Sequence, residues 1–254
     1  MKSLVVAKYT FSEFLQSKIL YNVFFLSIGL FILTYVASEF TYGVPQKVAL
    51  DFGVGATSIS TVLISIFLGA NLILKEIENR TLYMVLSRPI DRSSFILGKL
   101  IGLMGIIFLN TIILGSISCA LYFFLGGELN YLIPWVFIFI FIEALIVLLV
   151  VICFSLVTNV VLAVVNTIVV YIASYAIYEA SSLSYVVSRE GLNSFLKVFS
   201  FILPSLSKFN LKDFVLYEHS LSSGFIGWGL LYGVCYILFL FFVCTTIFSN
   251  KNLD

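Results

Sequence analysis

Residues 75–99 read KEIENRTLYMVLSRPIDRSSFILGK and hold five of the chain's 14 Lys and Arg and three of its 13 Asp and Glu. Long apolar runs flank this stretch on both sides. A charged island between two such runs belongs in water, and the runs decide the fold. The 254 residues are 61% hydrophobic and 11% charged. Soluble domains carry about 25% charged residues, so this chain lacks the polar side chains to cover itself. Runs of about 20 apolar residues identify membrane spans. Because they are continuously apolar rather than alternating, the spans are helices and not barrel strands.

Working outward from the island, the spans fall at about 22–40, 52–74, 97–125, 132–157, 160–177 and 225–248. The fourth and fifth form one run too long for a single tilted helix, and Thr158-Asn159 is its natural turn. Residues 1–21 place Leu4, Ala7, Phe11, Leu15 and Ile19 on one helical face, which predicts an amphipathic helix in the membrane interface with that face against lipid. Lys2, Lys8, Glu13 and Lys18 interrupt the first 20 residues, so no cleavable signal peptide is expected. The predicted fold is an all-α integral membrane protein of six spans in one domain, 1–254.

The Lys and Arg distribution orients it. With the N-terminus in the cytoplasm, nine lie inside (Lys2, Lys8, Lys18, the five of 75–99 and Lys251) and five outside (Lys47, Arg189, Lys197, Lys208 and Lys212), as the positive-inside rule asks. Trp135 and Trp228 then share the outer boundary, and both termini are cytoplasmic. The outer segment 180–224 predicts short helices on, or dipping into, the rim: one ending at Gly191 as C′, one capped by Asn193 and stopped by Pro204, and one opened by an Asn210/Asp213 capping box.

Little here can do chemistry. A single histidine, His219, excludes HExxH and His-rich metal sites, and Gly98-Lys99 lacks the glycine spacing of a phosphate loop. No metal site is expected. A net charge of +1 argues against nucleic acid. Cys119, Cys153, Cys235 and Cys244 all lie in apolar runs without CxxC spacing and read as small core residues.

Glu143 is the unusual residue, near the middle of the fourth span, where an ionisable group costs roughly 2–3 kcal/mol or more and suggests function. The weightier alternative is a protonated side chain serving as interhelical glue, with Asn110 at similar depth as its partner. Ser58, Thr61, Ser65 and Gly69 share a face of the second span; Asn159, Ala163, Asn166 and Ser174 share one on the fifth. Such stripes mark close packing or a pathway wall. Gly98-x-x-x-Gly102 and Gly229-x-x-x-Gly233 read as packing sites. Within the island, residues 76–84 can form a short helix that Arg88-Pro89 stops, before Asp91 or Ser93 caps the third span.

At this point a family pattern emerges. Glu76, Glu78, Thr81, Leu82, Leu86, Pro89, Arg92, Gly98 and Lys99 give acid-x-acid-x-x-Thr-Leu followed by Leu, Pro, Arg and Gly-Lys, which resembles ABC type-2 transporter permeases. The resemblance covers the whole chain. It makes 75–96 a cytoplasmic coupling region, in which Arg80 and Arg88 join those residues in contacting an ATPase. Residues 1–21 become the connecting helix and Thr158-Asn159 a smaller cytoplasmic contact.

The resemblance further implies a bacterial inner-membrane half-transporter. A second permease copy would pair with it, and two separate ATPase subunits would bind the ATP and Mg that this chain does not. Spans two and five would line the path, with Ser58, Thr61, Ser65, Asn159, Asn166 and Ser174 on its wall. The narrower likeness is to permeases of the copper-enzyme-maturation group or to gliding-motility anchors. The chain lacks the large outer domain that in some relatives meets periplasmic accessory proteins. Competing readings are a proton-coupled secondary transporter working through Glu143, for which inverted repeats are expected, and an intramembrane lipid-modifying enzyme.

Overall fold

The computed structural model describes residues 2–15, 25, 28–29, 32–37, 39–40, 44–72, 92–128, 130–183, 189–216 and 224–250. The expected first span (22–40) is described only in part. The island from 75 to 91, including Glu76, Glu78, Arg80, Thr81, Leu82, Leu86, Arg88 and Pro89, lies outside the described residues. So do His219 and residues 184–188, half of the stretch expected to form a helix ending at Gly191.

The described elements are helices α1 (Lys2–Leu15), α2 (Pro45–Asn71), α3 (Arg92–Phe124), α4 (Ile133–Val157), α5 (Val160–Ser182) and α6 (Glu190–Ile202). A 3-10 turn (Leu206–Phe209), α7 (Lys212–Leu216) and α8 (Phe225–Asn250) complete them. Among the described residues there is no strand. Five of these helices, α2, α3, α4, α5 and α8, are long and apolar enough to cross a membrane.

The helix ends follow local chemistry. Pro45 opens α2 and Pro134 lies in the first turn of α4, where a missing N–H removes nothing the helix needs. α2 therefore starts seven residues before the expected 52, taking Asp51 inside the helix. Thr158 ends α4 in extended conformation, and Asn159 caps α5 by accepting a 2.9 Å hydrogen bond from the Leu162 N–H. α5 runs on to Ser182, five residues past the expected end.

α4 has the most apolar sequence of the five, and it is the centre. It is hydrophobic all round, the pattern of a helix enclosed by others, and α2, α3, α5 and α8 all pack on it. Close approaches fix the directions. A Cβ on Gly229 would meet Phe139 at 2.9 Å and one on Gly233 would meet Ile142 at 2.6 Å, so α8 runs parallel to α4. One on Gly69 would meet Val151 at 2.4 Å, while Val54 and Ser58 share a cavity with Val136 and Glu143, so α2 is parallel as well. Gly53 against Ser118 and Thr61 against Asn110 make α3 antiparallel to α2.

Two ends of the bundle result. One gathers α1, the end of α2, the start of α3, the Thr158-Asn159 turn and the end of α8. The other gathers the start of α2, the end of α5, α6, the 3-10 turn, α7 and the start of α8. Trp135 and Trp228 are both at this second end, Trp228 73% exposed.

Three expectations change. α1 does not turn its whole stripe away from the protein: Ala7, Thr10 and Phe14 are buried, and Thr10 and Phe11 pack on Gly102 and Gly105 of α3. Leu4 stays 63% exposed. Glycines on α3 supply the groove that draws this face inward. Gly191 is the second residue of α6 rather than a C′ position, and Arg189 rather than Asn193 precedes that helix, while Leu203 and Pro204 do terminate it. Asn210 accepts from the Lys212 N–H at 3.2 Å, opening α7 through a local turn. Finally, the sulfurs of Cys153 and Cys244 are in contact across α4 and α8 with Cα atoms 5.2 Å apart, a separation a disulfide spans. These two are more than space fillers, and Cys235 is exposed rather than in the core.

Candidate functional site

The polar residues of the bundle interior divide into two groups. The first follows α2. Thr57, Thr61 and Ser65 each donate to the carbonyl four residues earlier, at 2.7, 2.6 and 2.8 Å. This satisfies their hydroxyl hydrogens within the helix, which apolar surroundings require. Thr61 Oγ1 also accepts from Asn110 Nδ2 of α3 at 3.0 Å. Thr61, Ser65 and Asn110 are all buried. Asn110 therefore bonds α2, not Glu143.

The second group surrounds Glu143, which is only 2% exposed. Tyr175 of α5 donates its hydroxyl to Glu143 Oε1 at 2.7 Å. Tyr171, one turn earlier on α5, has its ring 5.3 Å from that of Tyr175 and interacts with Glu143 and with Ser58 of α2. The carboxyl group thus joins α4 to α5, and Tyr171 extends the contact to α2.

Beside it lies a cavity of about 180 Å³, walled by α2, α4, α5 and the 209–212 segment. Glu143, Tyr175 and Ser58 line one part; Asn210 and Lys212 line another. Lys212 is held in an ion pair with Asp51 of α2. The segment bearing Asn210 and Lys212 is anchored by Leu206, Phe209 and Leu211, all buried, with Phe209 edge-on to Phe139 at 5.8 Å between ring centres. Apolar residues dipping into the bundle therefore set the polar ones over the cavity.

The other expected residues are scattered. Asn159 is exposed at its cap, Asn166 is half-buried on α5, and buried Ser174 donates to the Pro204 carbonyl. Arg92 opens α3, its side chain outside the described set. Lys99 is buried beside α1, 3.8 Å from the Glu13 carboxylate.

Tyr171, Tyr175, Asp51 and Lys212 were missed in the sequence, although a signal for the tyrosines exists. Glu143 lies 15 residues before Thr158, and Tyr175 lies 16 after Asn159. A hairpin folded at that turn brings them to one depth. Asp51 and Lys212 carry no such signal, because their pairing depends on where the 206–211 segment is buried.

A bundle of at least five apolar helices, with polar groups inside and no cluster of three or more metal-ligating side chains among the described residues, defines a multi-pass membrane protein built around helix contacts and cavities. Within that class, a family model described as ABC-2 family transporter protein matches residues 4–253, and the chain belongs to that family. It is thus a membrane permease of ABC transport, a family that works with an ABC ATPase. Comparison with curated proteins finds no match.

Proposed function

We propose that this chain is the membrane-spanning permease of an ABC exporter, with no catalytic site of its own, working as a homodimer on two ATPase subunits that bind ATP and Mg. The observation that carries the reading is the family match over nearly the whole chain. The finer architecture in this reading has six spans, with 22–40 as the first. α1 serves as an interfacial connecting helix, 75–96 as a cytoplasmic coupling region, and α6 with its successors as outer helices. The membrane is the bacterial inner membrane, with both termini cytoplasmic.

Glu76, Glu78, Arg80, Thr81, Leu82, Leu86, Arg88, Pro89, Arg92 and Lys99 take up the ATPase movement. Ser58, Thr61, Ser65, Asn159, Asn166 and Ser174 belong to the path wall. The bundle ends support this placement, because α1, both flanks of 73–91 and the Thr158-Asn159 turn share one end. The test is pull-down of the ATPase and ATP-driven transport in membranes carrying Glu76→Lys and Glu78→Lys. Loss of transport with the permease still assembled in the membrane is expected. Full transport and full ATPase binding in both variants would refute the coupling role.

A second reading has proton movement through Glu143 contributing to the cycle, favoured by the opening of that carboxyl group onto the cavity. Transport that is unchanged in Glu143→Gln would end it.

A further inference from the structure

A second, larger cavity of about 540 Å³ lies between the last two turns of α5 and the α6–3-10 segment. It shares no lining residue with the cavity beside Glu143. Its wall has two characters. Ile177, Leu196, Leu203 and Pro204 make one side apolar, while Ser181, Ser200, Ser205 and Ser207 bring hydroxyls, and Lys208 brings the only charge.

Two observations go beyond the hydroxyl-rich lining. Lys208 Nζ sits 4.3 Å over the Tyr232 ring, and no carboxylate faces it among the described residues. The lysine is thus held at the cavity by an aromatic face, with no ion-pair partner among the described residues. In addition, the Ser207 hydroxyl oxygen is fully buried in the cavity wall without a hydrogen-bond partner. A buried hydroxyl left unpaired is costly and calls for an explanation.

A phosphate group answers both. Its oxygens accept from hydroxyl donors and from the ammonium together, and charge-assisted bonds of this kind are the strong ones. The location suits an amphiphile. The cavity is at the level where α5 ends and α8 begins, and α6 beside it exposes Phe195, Val198 and Phe199. That is the make-up of a helix at a membrane surface, where lipid phosphates lie. We infer that this cavity is a phosphate-binding site for the headgroup of an anionic phospholipid, with Lys208 as its counter-charge and Ser207 as a hydrogen-bond donor. The inference does not depend on the transport reading, since it concerns binding by the permease alone.

The test uses the purified full-length chain in detergent, with lipid retention followed by native mass spectrometry and binding by thermal shift. Phosphatidylglycerol is titrated against phosphatidylcholine, with inorganic phosphate and glycerol phosphate as soluble arms. Saturable binding of one phosphatidylglycerol per chain is expected, stronger than that of phosphatidylcholine. Lys208→Met should weaken it by about tenfold, the loss of one charge-assisted bond. Lys208→Arg should retain it, Ser207→Ala should weaken it a few-fold, and Lys8→Met at the other end of the bundle should leave it unchanged.

Soluble phosphate that competes and depends equally on Lys208 would support the same site with a free phosphate as its ligand. Competition by lipid alone supports the membrane source. Equal retention of the two lipids, or indifference to Lys208→Met, overturns the inference. If Lys208→Met does not fold, undiminished binding by Ser207→Ala overturns it instead.

Discussion

Glu143 shows how one residue's meaning depends on what the fold brings to it. A glutamate near mid-membrane is costly alone, and here Tyr175 offsets part of that cost from the neighbouring helix. Interhelical hydrogen bonds of this type contribute roughly 1 kcal/mol. Tyr175→Phe should therefore lower stability by about that amount, read as a fall in the thermal midpoint in detergent. Combining it with Glu143→Leu should cost less than the sum of the two single changes, because the double variant leaves neither member of this pair buried without the other. Strictly additive losses would show that the pair does not interact. Asn110→Leu provides the parallel case at Thr61. It removes the bond between α2 and α3, and a loss of about 1 kcal/mol is expected.

At the scale of elements, packing is decided by glycines. A Cβ on Gly69 would lie 2.4 Å from Val151 Cγ1 and 3.2 Å from the Leu148 carbonyl, whereas Gly227 has open space around it. Overpacking typically costs about 1–3 kcal/mol. Gly69→Ala should accordingly destabilise the α2–α4 contact by that order, while Gly227→Ala should leave the thermal midpoint unchanged or raised. An equal response of the two variants would contradict the close approach. The ion pair between Lys212 and Asp51 has less leverage on stability, as both side chains are about a third or more exposed and such pairs contribute about 0–1 kcal/mol. Its role is to hold α7 against α2. The exchange Asp51→Lys with Lys212→Asp should restore whatever transport either single change removes.

For the whole molecule, the parallel run of α2, α4 and α8 against α3 and α5 separates two faces. Single cysteines placed at Thr158 and Gly224 in a cysteine-free background should react with impermeant reagents from opposite sides of the membrane. Labelling of both from the same side would contradict the arrangement. α5 and α8 also expose long apolar stripes, among them Val161, Val165, Ile172, Leu231, Leu238 and Phe242. In water such surfaces would be prohibitive; in a membrane protein they suit lipid.

The apolar runs by themselves determined the helices, since a backbone in hydrocarbon must satisfy its own hydrogen bonds. Asn159 determined the α4–α5 break, because its side chain can cap the second helix only if the first has stopped. The family was legible as well: the pattern from Glu76 to Lys99 resembles it, and the family model matches residues 4–253. Lateral choices were not legible. That Asn110 meets Thr61 rather than Glu143, that Ala7 and Phe11 turn onto α3, and that Lys212 meets Asp51 all depend on which helix lies beside which. Only the tertiary structure decided these, because apolar helices present nearly equivalent faces to one another. Small differences in shape, above all the glycine grooves at Gly69, Gly102 and Gly229, then select the partner.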